Sequence, residues 1–209
     1  MKYKWNAEYL PQWEYYDDSE GKFFADKAIE FMQSQKEKPF FLWLAFHEPH
    51  KPFKFPVEYA NKYNPDDIIL PDGSPEDDRH ILDIFKGLSD DEKRKIISSY
   101  YSSVEYMDEN IGRVLDGVKK LNLDENTLVI YISDHGYLLY DHKRFEKHTM
   151  LEEAVKVPII VQGFEQDVKS KALAEFIDVA PTICDAVGTK SPKSFQGTSF
   201  LPILKGDCK

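Results

Sequence analysis

Apolar positions change period several times along the chain, and each change marks an element. Residues 1–20 follow neither the helical nor the strand period and read as an irregular lead-in. From Gly21 to Lys36, Phe24, Ala28, Phe31 and Met32 recur at helical spacing, which predicts an amphipathic helix. Pro39 then opens the unbroken run Phe40-Phe41-Leu42-Trp43-Leu44-Ala45-Phe46, whose length suits a parallel strand buried on both faces. Residues 48–88 carry Pro49, Pro52, Pro56, Pro65, Pro71 and Pro75 with acidic residues between them, and read as a long surface excursion of the kind that shapes sites. Ser89 and its acidic neighbours cap a helix whose apolar line runs Ile97, Tyr100, Val104, Met107, Ile111, Leu115 and Val118. A turn at 121–126 leads into the strand Thr127–Ile132, so a right-handed crossover to a parallel strand is expected. Beyond the polar loop 134–154, Val157-Pro158-Ile159-Ile160-Val161 is a third buried-strand candidate. A short helix starts near Asp178, with Val179, Ile183, Ala186 and Val187 on one face, and stops at Gly188. No internal repeat or low-complexity segment interrupts this order. The fold class is α/β, with a mainly parallel sheet flanked by helices.

Composition narrows the function classes. A chain of 209 residues that is 42% hydrophobic can bury one sizeable core. A net charge of -10 argues against a general nucleic-acid binder, which needs concentrated Lys and Arg, so an anionic substrate would require a local basic pocket. Trp5, Trp13, Tyr15, Tyr16, Phe23 and Phe24 crowd the start of the chain, and core burial is a better account of them than carbohydrate stacking. Cys184 and Cys208 can pair or stay as two thiols. No apolar run reaches the length of a transmembrane segment, and the first residues lack the apolar stretch of a signal peptide, which leaves the compartment open.

The chemistry concentrates where apolar strands end. Asp134, His135 and Gly136 close the strand Thr127–Ile132, offering a carboxylate and an imidazole beside a glycine, donors that suit a divalent cation. Adjacent residues on an extended strand point to opposite sides, so both reach one ion only if the turn at Gly136 reorients them. An Asp capping a turn over a packed His fits the same residues. His47, His50 and Lys51 close the run 40–46 in the same way, and Lys147 lies in the loop that begins at Asp134. A cation with Lys147 and His47 would make a pocket for a tetrahedral anion.

In order and spacing, several segments resemble the sulfatase family of the alkaline-phosphatase-like superfamily, most of all its iduronate sulfatase and choline sulfatase type. They are Phe46-His47-Glu48-Pro49-His50-Lys51-Pro52-Phe53, Tyr100 to Asp108, Ser133-Asp134-His135-Gly136 with Asp141-His142, Lys147, Val157 to Ile160, and Gly197 to Gly206. The resemblance implies an alkaline-phosphatase-like domain in which Asp134 and His135 ligate a divalent cation such as calcium. It further implies that Lys147 contacts the sulfate and that His47 stands beside the leaving-group oxygen. His50 fits either packing or the substrate rim, and His142 a brace of its loop. Lys143, Arg144 and His148 read as solvated or rim residues. The implied substrate is a small-molecule or carbohydrate sulfate ester, and enzymes of this family are often exported.

One family landmark is missing. The family makes its formylglycine nucleophile from the cysteine of a Cys-x-Pro/Ala-x-Arg motif, which follows acidic metal ligands, and neither Cys184 nor Cys208 stands in that motif. The expectation is therefore a single partial catalytic domain over 1–209, an incomplete domain without the N-terminal nucleophile region and the C-terminal subdomain, and inactive by itself. Two alternatives remain: a phosphoryl or phosphonyl ester hydrolase of the same superfamily, and a non-catalytic fragment or binding scaffold.

Overall fold

The computed structural model describes residues 12–164 and 168–206, which fall into two compact units: one up to Asp124 with Ser133–Val157, the other Glu125–Ile132 with Pro158 onward. The first unit is organised by two helices. Helix α1 (Glu20–Gln35) buries Gly21, Ala25, Ala28 and Met32, a small-residue face that lets it lie close to the 31-residue helix α2 (Asp90–Lys120). At Gly117 the approach is so tight that a Cβ would stand 3.0 Å from Ile29. Ser89 begins α2 with a complete capping box, its side chain accepting from the Glu92 amide while Glu92 accepts from the Ser89 amide, which satisfies two otherwise orphaned donors.

The buried face of α2 is more polar than the apolar line predicts. Ser98, Ser99, Ser102 and Ser103 are buried with Ile96, Ile97 and Tyr106, whereas Tyr100, Val104 and Met107 are half-buried. The serines hold the long excursion against the helix. Ser98 donates to the Tyr63 carbonyl at 2.6 Å, Ser102 to Tyr59 at 3.1 Å and Ser103 to Lys54 at 3.3 Å. An irregular segment has no ladder to pair its carbonyls, so buried hydroxyls do that instead. Phe53, Phe55, Tyr59, Phe85 and Leu88 of the excursion thereby join Ile97, Tyr106 and Phe145 in the core.

Among the described residues the strands pair two by two, in three short sheets. Strands β1 (Gln12–Glu14) and β2 (Lys54–Pro56) pair in parallel over three residues. In the second unit, β3 (Val129–Ile132) pairs antiparallel with β6 (Ile159–Gln162). Residues 40–46 pair with no strand among the described residues. Their exposure alternates, with Phe41 and Trp43 exposed, so the segment is not buried on both faces. A strand needs partners on both edges to become a central strand, and sequence period carries no information about which segments supply them.

In the second unit, the predicted short helix is α4 (Phe176–Ala186), where Pro181 and Thr182 are buried and Val187 is exposed. Cys184 is half-buried there, and Cys208 lies outside the described residues. The aromatic lead-in divides: Tyr16 packs edge-on against Tyr106 and Phe24 is half-buried, but Tyr15 and Phe23 are exposed, contrary to the core reading. Trp5 and the side chain of Trp13 lie outside the described residues. No described helix is long and apolar enough to cross a membrane.

Candidate active site

Two loops of the first unit carry the candidate residues. The first follows 40–46, where the His50 amide donates to the His47 carbonyl at 2.9 Å and closes a turn. The turn stacks the two imidazoles, with ring centroids 5.1 Å apart and planes 17° from parallel. His50 Nδ1 lies 2.6 Å from the Lys51 carbonyl, so the proton belongs on Nδ1 and Nε2 is left as the acceptor. Burial lowers the His50 pKa, and the charges of Lys147, His47 and Lys51 lower it further, against the opposing bond to the Lys51 carbonyl. His47 is more open, its Nδ1 3.9 Å from Glu20 Oε2.

Glu48, between the two histidines, is 8% exposed. Its Oε2 has no hydrogen-bond partner among the described residues, and burial, with the nearby Glu20 charge, pushes its carboxyl pKa up. Nothing in the local pattern distinguishes this glutamate from a solvated one.

The second loop begins with Asp134 and His135. Ser133 Oγ donates to the His135 carbonyl at 2.8 Å, and His135 Nδ1 lies 2.8 Å from the Gly136 carbonyl. Bonding at Nδ1 leaves Nε2 to act as a donor to a cation, 3.4 Å from Asp134 Oδ2. The two adjacent side chains thus reach the same point. Gly136 makes this possible: its amide donates to the Ala154 carbonyl at 2.9 Å, and a Cβ there would stand 2.0 Å from the Glu153 carbonyl oxygen. The carboxylate and imidazole suit a divalent cation as part of a shell. No cluster of three or more such ligands occurs among the described residues.

Strands β4 (Leu138–Leu139) and β5 (Phe145–Glu146) then form a small hairpin, and the short helix α3 (Glu152–Val155) follows. Tyr140, His142, Lys143 and Glu146 all have positive φ, between 53° and 80°. Such conformations are costly without glycine and persist where surrounding contacts enforce them. His142 braces the loop as expected, its Nδ1 3.1 Å from Asp77 and its Nε2 3.7 Å from Glu153. Lys143 pairs with Asp78. Arg144 is a correction: it is buried, not a rim residue, and its Nη2 donates to the His148 carbonyl at 3.2 Å. The fully buried Phe145 beside it draws the backbone inward. The structure thus stacks His47 on His50, ties Lys51 beside them to Glu146, the neighbour of Lys147, and brings Asp134 to His135.

Solved structures define the class first. Phosphonate monoester hydrolase from Silicibacter pomeroyi matches with a TM-score of 0.85 and 25% identity, over 98% of this chain and 47% of that one, so the fold is that of alkaline-phosphatase-like hydrolases. The chain belongs to the sulfatase family, whose model matches residues 1–189. Human iduronate 2-sulfatase is 32% identical over 84% of this chain and 41% of its own length. The multifunctional alkaline phosphatase superfamily protein PehA of Trinickia caryophylli is 28% identical over 89% and 41%. The chain therefore spans about two fifths of the curated relatives it matches.

Proposed function

We propose that these residues form the sulfate-holding part of an enzyme that hydrolyses sulfate esters, acting on a small-molecule or carbohydrate sulfate. The observation that carries this reading is the ion pair of Lys51 with Glu146, which sets the loop of Lys147 beside that of the stacked His47 and His50, in a chain of net charge -10. A local cluster of positive groups on an acidic protein suits a compact anion. Lys147 holds sulfuryl oxygens and stabilises the charge that develops on them. His47 hydrogen-bonds or protonates the departing alcohol, and His50, stacked on His47, lines the substrate rim. Asp134 and His135 supply two ligands to a divalent cation, calcium in this proposal, which would act as a Lewis acid on the sulfuryl group. The formylglycine characteristic of the family would come from polypeptide outside these 209 residues, since they contain no Cys-x-Pro/Ala-x-Arg motif. The chain would then be one part of a catalytic domain built around the mainly parallel sheet of the superfamily.

The likeness to a phosphonate monoester hydrolase supports a second reading, ester hydrolysis at phosphorus. The test is turnover of an aryl sulfate and of an aryl phosphonate monoester by the polypeptide completed with its nucleophile segment. Preference for the sulfate, reduced at least a hundredfold by Lys147→Ala, is the expected result. Preference for the phosphonate establishes the second reading, and indifference to Lys147→Ala rejects both.

A further inference from the structure

Two charged residues stand between the core and the site. Lys51 follows His50 and is separated from Phe53 by Pro52, while Glu146 joins Phe145 to Lys147, and both phenylalanines are fully buried. The side chains of Lys51 and Glu146 form an ion pair across 95 positions of sequence. Glu146 is 7% exposed, holds a φ of 77°, and is paired in the hairpin with the fully buried Leu138. Each half of the pair is thus anchored on one side by the core and joined on the other to a site residue.

We infer that the Lys51–Glu146 pair is a clamp that positions Lys147 against His50, two loops that no strand pairing joins among the described residues. The use of that position rests on the sulfate-ester reading. Before an anion arrives, Lys51 and Lys147 repel one another, and the loop carrying Lys147 is pushed outward. Glu146 offsets one of these charges from within and ties the second loop to the first. Neither member of the clamp touches the reacting atoms, so both are positioning residues.

Glu146→Gln in the full chain tests this by sign. Removing a negative charge near an anion site should, through charge alone, tighten inorganic sulfate binding and lower the titration midpoint of His50. If Lys147 is released, both move the other way, because His50 then faces His47 and Lys51 without Lys147. The expected result is about tenfold weaker binding of inorganic sulfate by calorimetry. In imidazole NMR spectra, the His50 midpoint should rise toward the ordinary histidine value of about 6.5. A midpoint that stays or falls overturns the clamp, whatever happens to sulfate. If the unsubstituted chain takes up no sulfate, the sulfate-ester reading of the site fails, and the His50 midpoint still decides the clamp. Should Glu146→Gln not fold, Glu146→Asp keeps the charge and shortens the reach, and an unchanged His50 midpoint in it overturns the inference.

Discussion

Replacing Gly136 with alanine should destabilise the first unit and disorganise the Asp134–His135 pair together. The new Cβ would lie 2.0 Å from the Glu153 carbonyl oxygen, 2.9 Å from its carbon and 3.1 Å from the Lys156 carbonyl oxygen. All three are backbone atoms, so no side chain can rotate away, and an ordinary contact requires more than an ångström of separation between the turn and α3. That movement breaks the bond from the Gly136 amide to the Ala154 carbonyl, and overpacking alone costs about 1–3 kcal/mol. A net loss near 3 kcal/mol is expected, since hydrogen-bond loss adds about 1 kcal/mol. Gly112 provides the control. It lies within α2 with nothing near its missing Cβ, so Gly112→Ala should raise stability by about 0.5–1 kcal/mol. Urea denaturation gives both numbers, and hydrogen exchange at the Gly136 amide reads the turn directly. The reasoning is refuted if Gly136→Ala unfolds within about 0.5 kcal/mol of the parent, the range of an ordinary surface substitution.

Phe145→Ala removes a fully buried ring that packs edge-on against Phe85, and should cost about 3–5 kcal/mol in urea denaturation while loosening the hairpin that carries Lys147. Ser102→Ala leaves the Tyr59 carbonyl with only the longer bond from the Lys62 amide, so a loss of about 1 kcal/mol is expected from the same measurement. The phenols of Tyr16 and Tyr59 are raised by burial and then by their bonds to Glu109, Tyr16 to about 12. Unfolded tyrosine ionises near pH 10, so their contribution is complete below about pH 10; that of Tyr16 is lost as pH rises through about 12, and that of Tyr59 at still higher pH. Glu109→Gln should make that alkaline loss shallower in pH-dependent melting. Calcium should bind the 209-residue chain weakly, because two ligands supply a fraction of the six to eight oxygens that it takes. Tight stoichiometric binding in calorimetry, abolished by Asp134→Ala, would show that the chain holds a complete shell.

Whatever depends on neighbours in sequence is legible in the residues themselves. The three-and-four spacing from Phe24 to Met32 and from Ile97 to Val118 is itself the helical repeat, and Ser89 with Glu92 writes its own cap, so α1 and α2 lie close to where the pattern places them. Asp134, His135 and Gly136 are adjacent, so one glycine suffices to turn two donors toward one point, and that too is readable locally. The rest depends on contacts between residues far apart in sequence. Hydrophobic period identifies β3 as a strand but not β6 as its antiparallel partner, because pairing depends on backbone groups brought together by folding. The buried serines of α2 look like a polar face until the carbonyls of Lys54, Tyr59 and Tyr63 arrive to meet them. Arg144 and Glu146 carry charge and so read as surface residues, yet Phe145 between them is driven into the core and takes its neighbours with it. Tertiary structure alone pairs Lys51 with Glu146, and with them the loops of His50 and Lys147, because a charge acts on whatever the fold places near it, and sequence distance does not enter Coulomb's law.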